Sequence, residues 1–150
     1  MLLDPKTSHH PQIVKQITFA DKLQIISINV NGLRSKIGQI RQFLLNQPYE
    51  SVLVLNDTRL RGTLKSSDFP GYTVVKKDKP LIGTTATAGG VAIIFPKSWS
   101  CIEKGFKLSK DYFEAIAVVL LPTNSVPIKI ATCYNRPGNH FPPVSSQRIC

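Results

Sequence analysis

The sequence predicts an α/β domain. Two observations carry this reading. Near the start, an isoleucine-rich run, a stretch of helical period and a continuous apolar run follow one another within about 35 residues, as in a strand–helix–strand unit. The second half then holds several short β-branched runs between turn residues and no helical period, as in an antiparallel meander. With 150 residues, 42% of them hydrophobic, the chain is about one domain with enough apolar residues for a core.

Residues 1–22 contain Pro5, Pro11, the adjacent His9 and His10, and no clear period, and read as a flexible leader. Leu23 to Val30 partly alternates and is rich in isoleucine, which predicts a strand. Asn31-Gly32 ends it. The following segment is not strand-like, so the pair marks a strand-to-helix turn and not a hairpin. Ser35 suits a helix N-cap. Ile37, Ile40, Phe43 and Leu44 then form one apolar face at helical spacing. Gly38 weakens that helix by about 1 kcal/mol, and Pro48 stops it, because the residue before a proline is pushed out of the helical region.

Val52 to Leu55 are four consecutive apolar residues, the pattern of a strand buried on both faces. Such a strand tolerates a charge at its carboxyl end, where the sheet opens into a crevice. Asp57 stands there, and the strand–helix–strand unit would bring Asn29 and Asn31 to the neighbouring strand end. Beyond Leu60, Arg61–Gly71 reads as a loop and Tyr72–Lys77 as a short strand. Lys79–Gly89 is a Thr/Ala/Gly-rich loop, and Gly90–Phe95 is a buried strand closed by Pro96. Ser98–Asp111 reads as irregular. Phe113–Leu121 and Pro127–Tyr134 are further strands. The last sixteen residues hold three prolines and no period, and an irregular tail is expected over 141–150.

Nineteen Lys and Arg against nine Asp and Glu give a net charge of +10, which favours a polyanionic partner such as nucleic acid. The basic residues are spread along the chain, and no basic amphipathic helix suggests a membrane surface. No apolar run approaches the roughly 20 residues of a membrane span, and the first residues lack the apolar region of a secretory signal. Cys101, Cys133 and Cys150 have no metal-ligand spacing and read as free thiols of a reducing compartment.

Several residues carry possible chemistry. Asp57 could ligate Mg²⁺, which prefers one or two carboxylates with water and phosphate completing the shell; it could equally cap a turn. Asn29 and Asn31, two apart on a strand, would present amides on one face to orient a phosphate or a carboxylate; otherwise they serve the Asn-Gly turn. Tyr134 at a strand end could donate to a phosphate oxygen, or simply pack. Arg136 could clamp a phosphate through two N–H groups, or remain solvated. His140 could act as a base or lie idle in the terminal loop. The spacings of phosphate loops, nucleophile elbows and zinc frameworks are absent.

These features come in a recognisable order. Ser-Ile-Asn-Val-Asn-Gly-Leu-Arg is followed about 25 residues later by Val-Leu-Asn-Asp-Thr-Arg-Leu. Then come Pro-Gly-Tyr, Gly-Gly-Val-Ala-Ile, and a strand ending in Tyr-Asn-Arg-Pro. Over residues 23–140 this resembles the amino-terminal part of the endonuclease/exonuclease/phosphatase superfamily. Within it, the pattern is most similar to the apurinic-endonuclease-like domains of non-LTR (LINE-type) retrotransposons. The resemblance implies a four-layer α/β sandwich, here truncated, with two packed sheets and helices outside. It implies phosphodiester hydrolysis of DNA with Mg²⁺ or Mn²⁺. Asn29 would match the asparagine near the metal or scissile phosphate, and Asn31 a position that is aspartate or asparagine in the family. Asp57 would match the metal-binding glutamate, and Tyr134 the tyrosine that contacts phosphate.

Two departures qualify the match. Asp57 is one methylene shorter than glutamate, so its oxygens retreat by roughly 1.5 Å, whereas Mg²⁺ requires ligands at about 2.0–2.1 Å. The family's Gly-Asp-x-Asn and Ser-Asp-His motifs, which supply the remaining carboxylates and the histidine, do not occur in the sequence. The expectation is therefore an incomplete endonuclease domain that binds DNA, inactive by itself and nuclear or cytoplasmic. The alternatives are a non-catalytic basic nucleic-acid-binding module and another phosphatase of the superfamily. If the second sheet were truncated, Val91, Ile93, Val118 and Leu120 would be left exposed.

Overall fold

Val52 to Leu55 are apolar without alternation, so the strand that carries them needs cover on both faces. The fold supplies it. A computed structural model describes residues 12–19, 23–79, 88–104 and 113–135. Among these residues, eight strands form two sheets, with one α-helix. The strands are β1 (Gln12–Phe19), β2 (Leu23–Asn29), β3 (Glu50–Asn56), β4 (Tyr72–Lys77), β5 (Val91–Pro96), β6 (Ser100–Lys104), β7 (Phe113–Leu121) and β8 (Ile128–Asn135). A 3-10 turn, Arg34–Lys36, leads into the helix α1 (Ile37–Leu45).

The larger sheet has the order β1-β2-β3-β5-β4, and the smaller is the meander β6-β7-β8. β2 and β3 run parallel, with Asn29 level with Asn56. They are joined through α1, so the expected strand–helix–strand unit is present. Every other pairing is antiparallel.

Alternation along β2, β3 and β5 divides the core in two. Ile26, Ile28, Leu53, Leu55, Ala92 and Ile94 face the helix and pack with its Ile40, Phe43 and Leu44. Val52, Val54, Val91, Ile93 and Phe95 face the smaller sheet and pack against Ile116, Val118 and Leu120, with Trp99 among them. Burying each such aliphatic side chain contributes about 1.5–3 kcal/mol.

Several expectations are corrected here. The leader drawn over residues 1–22 contains β1, an edge strand paired antiparallel to β2 with a register shift between Ile13 and Lys15. The prolines upstream masked a β-branched run whose order comes from β2. The irregular span Ser98–Asp111 contains β6, a short and largely exposed edge strand held by pairing with β7. Ser35 is not the cap of α1: it lies in the 3-10 turn, and the helix N-cap is Lys36, without a side-chain cap hydrogen bond.

Val91, Ile93, Val118 and Leu120 are buried and not exposed, because the two sheets lie face to face. Instead of four layers, the described residues make three: helix, larger sheet, smaller sheet. Among them there is a single α-helix, and it lies on the larger sheet. The expectation of free thiols holds for Cys101 but not for Cys133, which is disulfide-bonded. Among the described residues, no helix is long and apolar enough to cross a membrane.

Candidate functional site

The parallel pair β2–β3 leaves two chain segments side by side at its carboxyl end. Backbone bonds continue between them past the strands: Val30 N–H donates to the Asn56 carbonyl (3.0 Å), Gly32 N–H to Asp57 (2.9 Å) and Leu33 N–H to Thr58 (2.8 Å). Both segments turn sharply. Asn31 (φ 47°) and Gly32 (φ 94°) are left-handed in the first, Asp57 (φ 58°) and Arg59 (φ 52°) in the second. A left-handed non-glycine residue costs on the order of 1 kcal/mol or more and persists only where its surroundings enforce it.

The enforcing partner is the Gly89-Gly90 pair. Thr58 N–H donates to the Gly90 carbonyl (3.2 Å) and Arg59 N–H to the Gly89 carbonyl (2.8 Å). In return, Gly89 N–H donates to Asp57 Oδ1 (2.8 Å). Gly90 must be glycine: at φ 90°, a Cβ would stand 2.4 Å from Thr58 Oγ1.

Asp57 is 5% exposed. Besides Gly89, its carboxylate accepts from Arg59 Nε at 3.1 Å (Oδ1) and from Arg59 Nη2 at 3.0 Å (Oδ2). The pair is a forked, charge-assisted ion pair. That hydrogen bond, together with the charges of Asp57 and Tyr134, raises the Arg59 pKa above the ordinary value of an arginine, against the opposing effect of burial. The Arg59 stem lies over Gly32, where a Cβ would be 3.9 Å from Arg59 Cδ.

A second cation lies beneath. Lys36 is buried, and its Nζ donates to the carbonyls of Val30 and Asn31, both at 2.7 Å. Burial, reinforced by Arg59, pushes its pKa below 10.5, partly opposed by Asp57. Beside Gly89 stand the buried Glu114 and Lys79. Across the sheet interface, Thr132 Oγ1 donates to Asn56 Oδ1 at 2.9 Å.

The sequence-derived candidates are placed as follows. Asn29, Asp57 and Tyr134 come to one end of the fold. Asn29 is exposed at the last position of β2, level with Asn56. Tyr134 sits on β8, partly buried against the inter-sheet core and near enough to act on the Arg59 guanidinium. Asn31 does not share a strand face with Asn29. It lies beyond β2 in the left-handed region, and its N–H donates to Asn29 Oδ1 at 3.2 Å, so Asn29 serves the turn. Arg136, His140 and His9-His10 lie outside the described residues.

The residues do not fit Mg²⁺ as they stand. Both Asp57 oxygens already face a guanidinium, which a divalent cation at bonding distance would have to displace. Among the described residues, no group of three or more His, Cys, Asp or Glu is placed to hold a metal ion.

Arg59, Lys36, Asn56 and Thr132 were not singled out from sequence. For Arg59 a signal existed: a carboxylate at a buried strand end, with an arginine two residues on. Lys36, inside an apparent helix start, carries none. On the helix side, a groove of about 350 Å³ is lined by Lys65, Lys76, Phe69 and Tyr72 among others. Compared with protein-family models, with curated proteins and with solved structures, the chain matches none.

Proposed function

We propose that this chain is a DNA-binding domain of the endonuclease/exonuclease/phosphatase type. On this reading it corresponds to the amino-terminal part of a retrotransposon endonuclease domain, and it grips the DNA backbone at the carboxyl end of β2 and β3. One observation supports the reading most directly. Two left-handed non-glycine residues, Asp57 and Arg59, are held by the Gly89-Gly90 backbone so that a cationic side chain stands at the crevice of a parallel strand pair. Strain maintained in this way at a strand end marks a site and not a plain connection. The +10 charge supplies long-range attraction to a polyanion.

In this reading the outer helices of the full four-layer sandwich come from segments other than those described. Hydrolysis with Mg²⁺ or Mn²⁺ would likewise need carboxylates beyond those described, since Asp57 is engaged by Arg59. The ion pair favours the non-catalytic alternative: a basic module that binds DNA without cutting it. Fluorescence anisotropy on a labelled duplex tests the binding. For three phosphate contacts, affinity is expected to fall about 40-fold between 50 and 200 mM salt. Salt-independent or absent binding rejects the reading. Plasmid incubated with the chain and Mg²⁺ is expected to stay supercoiled; efficient nicking that Asp57→Ala abolishes would establish catalysis instead.

A further inference from the structure

We infer that Arg59 is itself the anion ligand of this crevice, a guanidinium oriented by Asp57 to take a phosphate group directly, without a bridging metal ion. The inference rests on the DNA-binding reading of the same site and gives it a mechanism.

Arginine has five N–H donors in a rigid plane. Asp57 takes two of them, on Nε and Nη2, along one edge of the guanidinium. Among the described residues no partner takes the other three N–H groups, which include the edge between the two terminal nitrogens, a match for two oxygens of a phosphate. The side chain is 36% exposed, whereas that of Asp57 is 7% exposed, so Arg59 reaches solvent from a carboxylate that does not. The Asp57 fork holds the group in one orientation, which lowers the entropy lost on binding.

The charge balance agrees. Lys36, Lys79 and Arg59 set three cations against Asp57 and Glu114, so the site keeps a positive excess after its own ion pair is made. Asp57 is then a positioning residue. Its carboxylate accepts three hydrogen bonds, two of them from Arg59, so Mg²⁺ at bonding distance on either oxygen would compete with the guanidinium.

The test uses two probes, inorganic phosphate followed by ³¹P NMR and a fluorescent DNA duplex followed by anisotropy, each in EDTA and in Mg²⁺ at matched ionic strength. Equal affinity in both buffers is expected. Arg59→Gln should weaken both probes about tenfold and lower the salt slope for DNA by about one, a readout that a merely structural role would leave alone. Arg59→Lys, which keeps the charge and loses the fork, should fall between. Any of three results overturns the inference: a requirement for Mg²⁺, wild-type affinity in Arg59→Gln, or selective broadening of Asp57 resonances by Mn²⁺. If Arg59→Gln does not melt cooperatively, the Mn²⁺ titration of the unmodified chain decides. Binding of phosphate but not of the duplex would reject the DNA reading and leave the arginine site standing; binding of neither rejects both.

Discussion

Lys36 shows most clearly how burial and charge compete at single residues of this site. Its ammonium is buried against two carbonyls, close to Arg59, and its pKa is lowered from 10.5. Between the folded value and 10.5, the unfolded chain holds more protons than the folded one, so stability rises with pH through that window and the cost of the buried charge is constant below it. The stability difference between the wild type and Lys36→Met should therefore move in favour of the wild type from about pH 7 to about pH 10, as read from urea midpoints. Tyr72, whose phenol is pushed up by burial and the charge of Glu50, is common to both chains and cancels. An unchanged difference would show that Lys36 is not desolvated. Asp57 illustrates the reverse: its negative charge is buried, but three hydrogen bonds from Gly89 and Arg59 meet it.

At the scale of elements, two glycines with the same side chain have opposite consequences. Gly38 lies inside α1, where an added Cβ would meet nothing within 4 Å. Gly38→Ala should stabilise the protein by about 0.5–1 kcal/mol, through better helix propensity and a less disordered unfolded chain. Gly90 has φ 90° and would drive a Cβ to 2.4 Å from Thr58 Oγ1. Gly90→Ala should cost about 3 kcal/mol, from the positive φ and the displaced 57–59 turn. Thermal melts of the two variants check both signs. A neutral Gly90→Ala would mean that the Gly89-Gly90 pair does not brace the turn. The helix was legible from Ile37, Ile40, Phe43 and Leu44 because its period is local. Edge strands β1 and β6 were not, because their partners lie elsewhere in the chain.

Across the whole molecule, the inter-sheet core joins the two halves of the sequence. Ile93 is fully buried on the face of the larger sheet that meets the smaller one, and Trp99, the chain's sole tryptophan, lies in the same cluster. Ile93→Ala should destabilise by about 2–4 kcal/mol. Unfolding should remain one transition, with Trp99 fluorescence and far-ultraviolet circular dichroism coincident. Separate transitions would mean that the sheets do not form a single cooperative unit. Exposure of Val118 and Leu120, expected only if the second sheet were truncated, does not arise, because a three-stranded meander covers the larger sheet.

The sequence by itself determined the parallel β2–α1–β3 unit, the strands β4, β5, β7 and β8 and the position of Asp57 at a strand end. All of these depend on hydrophobic period and on turn residues within a few positions of each other. Only the tertiary structure decided what Asp57 does. Its partner Arg59 is two residues away, but the left-handed turn that points the guanidinium back at it is held by Gly89 and Gly90, some thirty residues on. A carboxylate becomes a metal ligand or half of an ion pair according to which donor reaches it first, and that depends on loops brought together by the folded sheet.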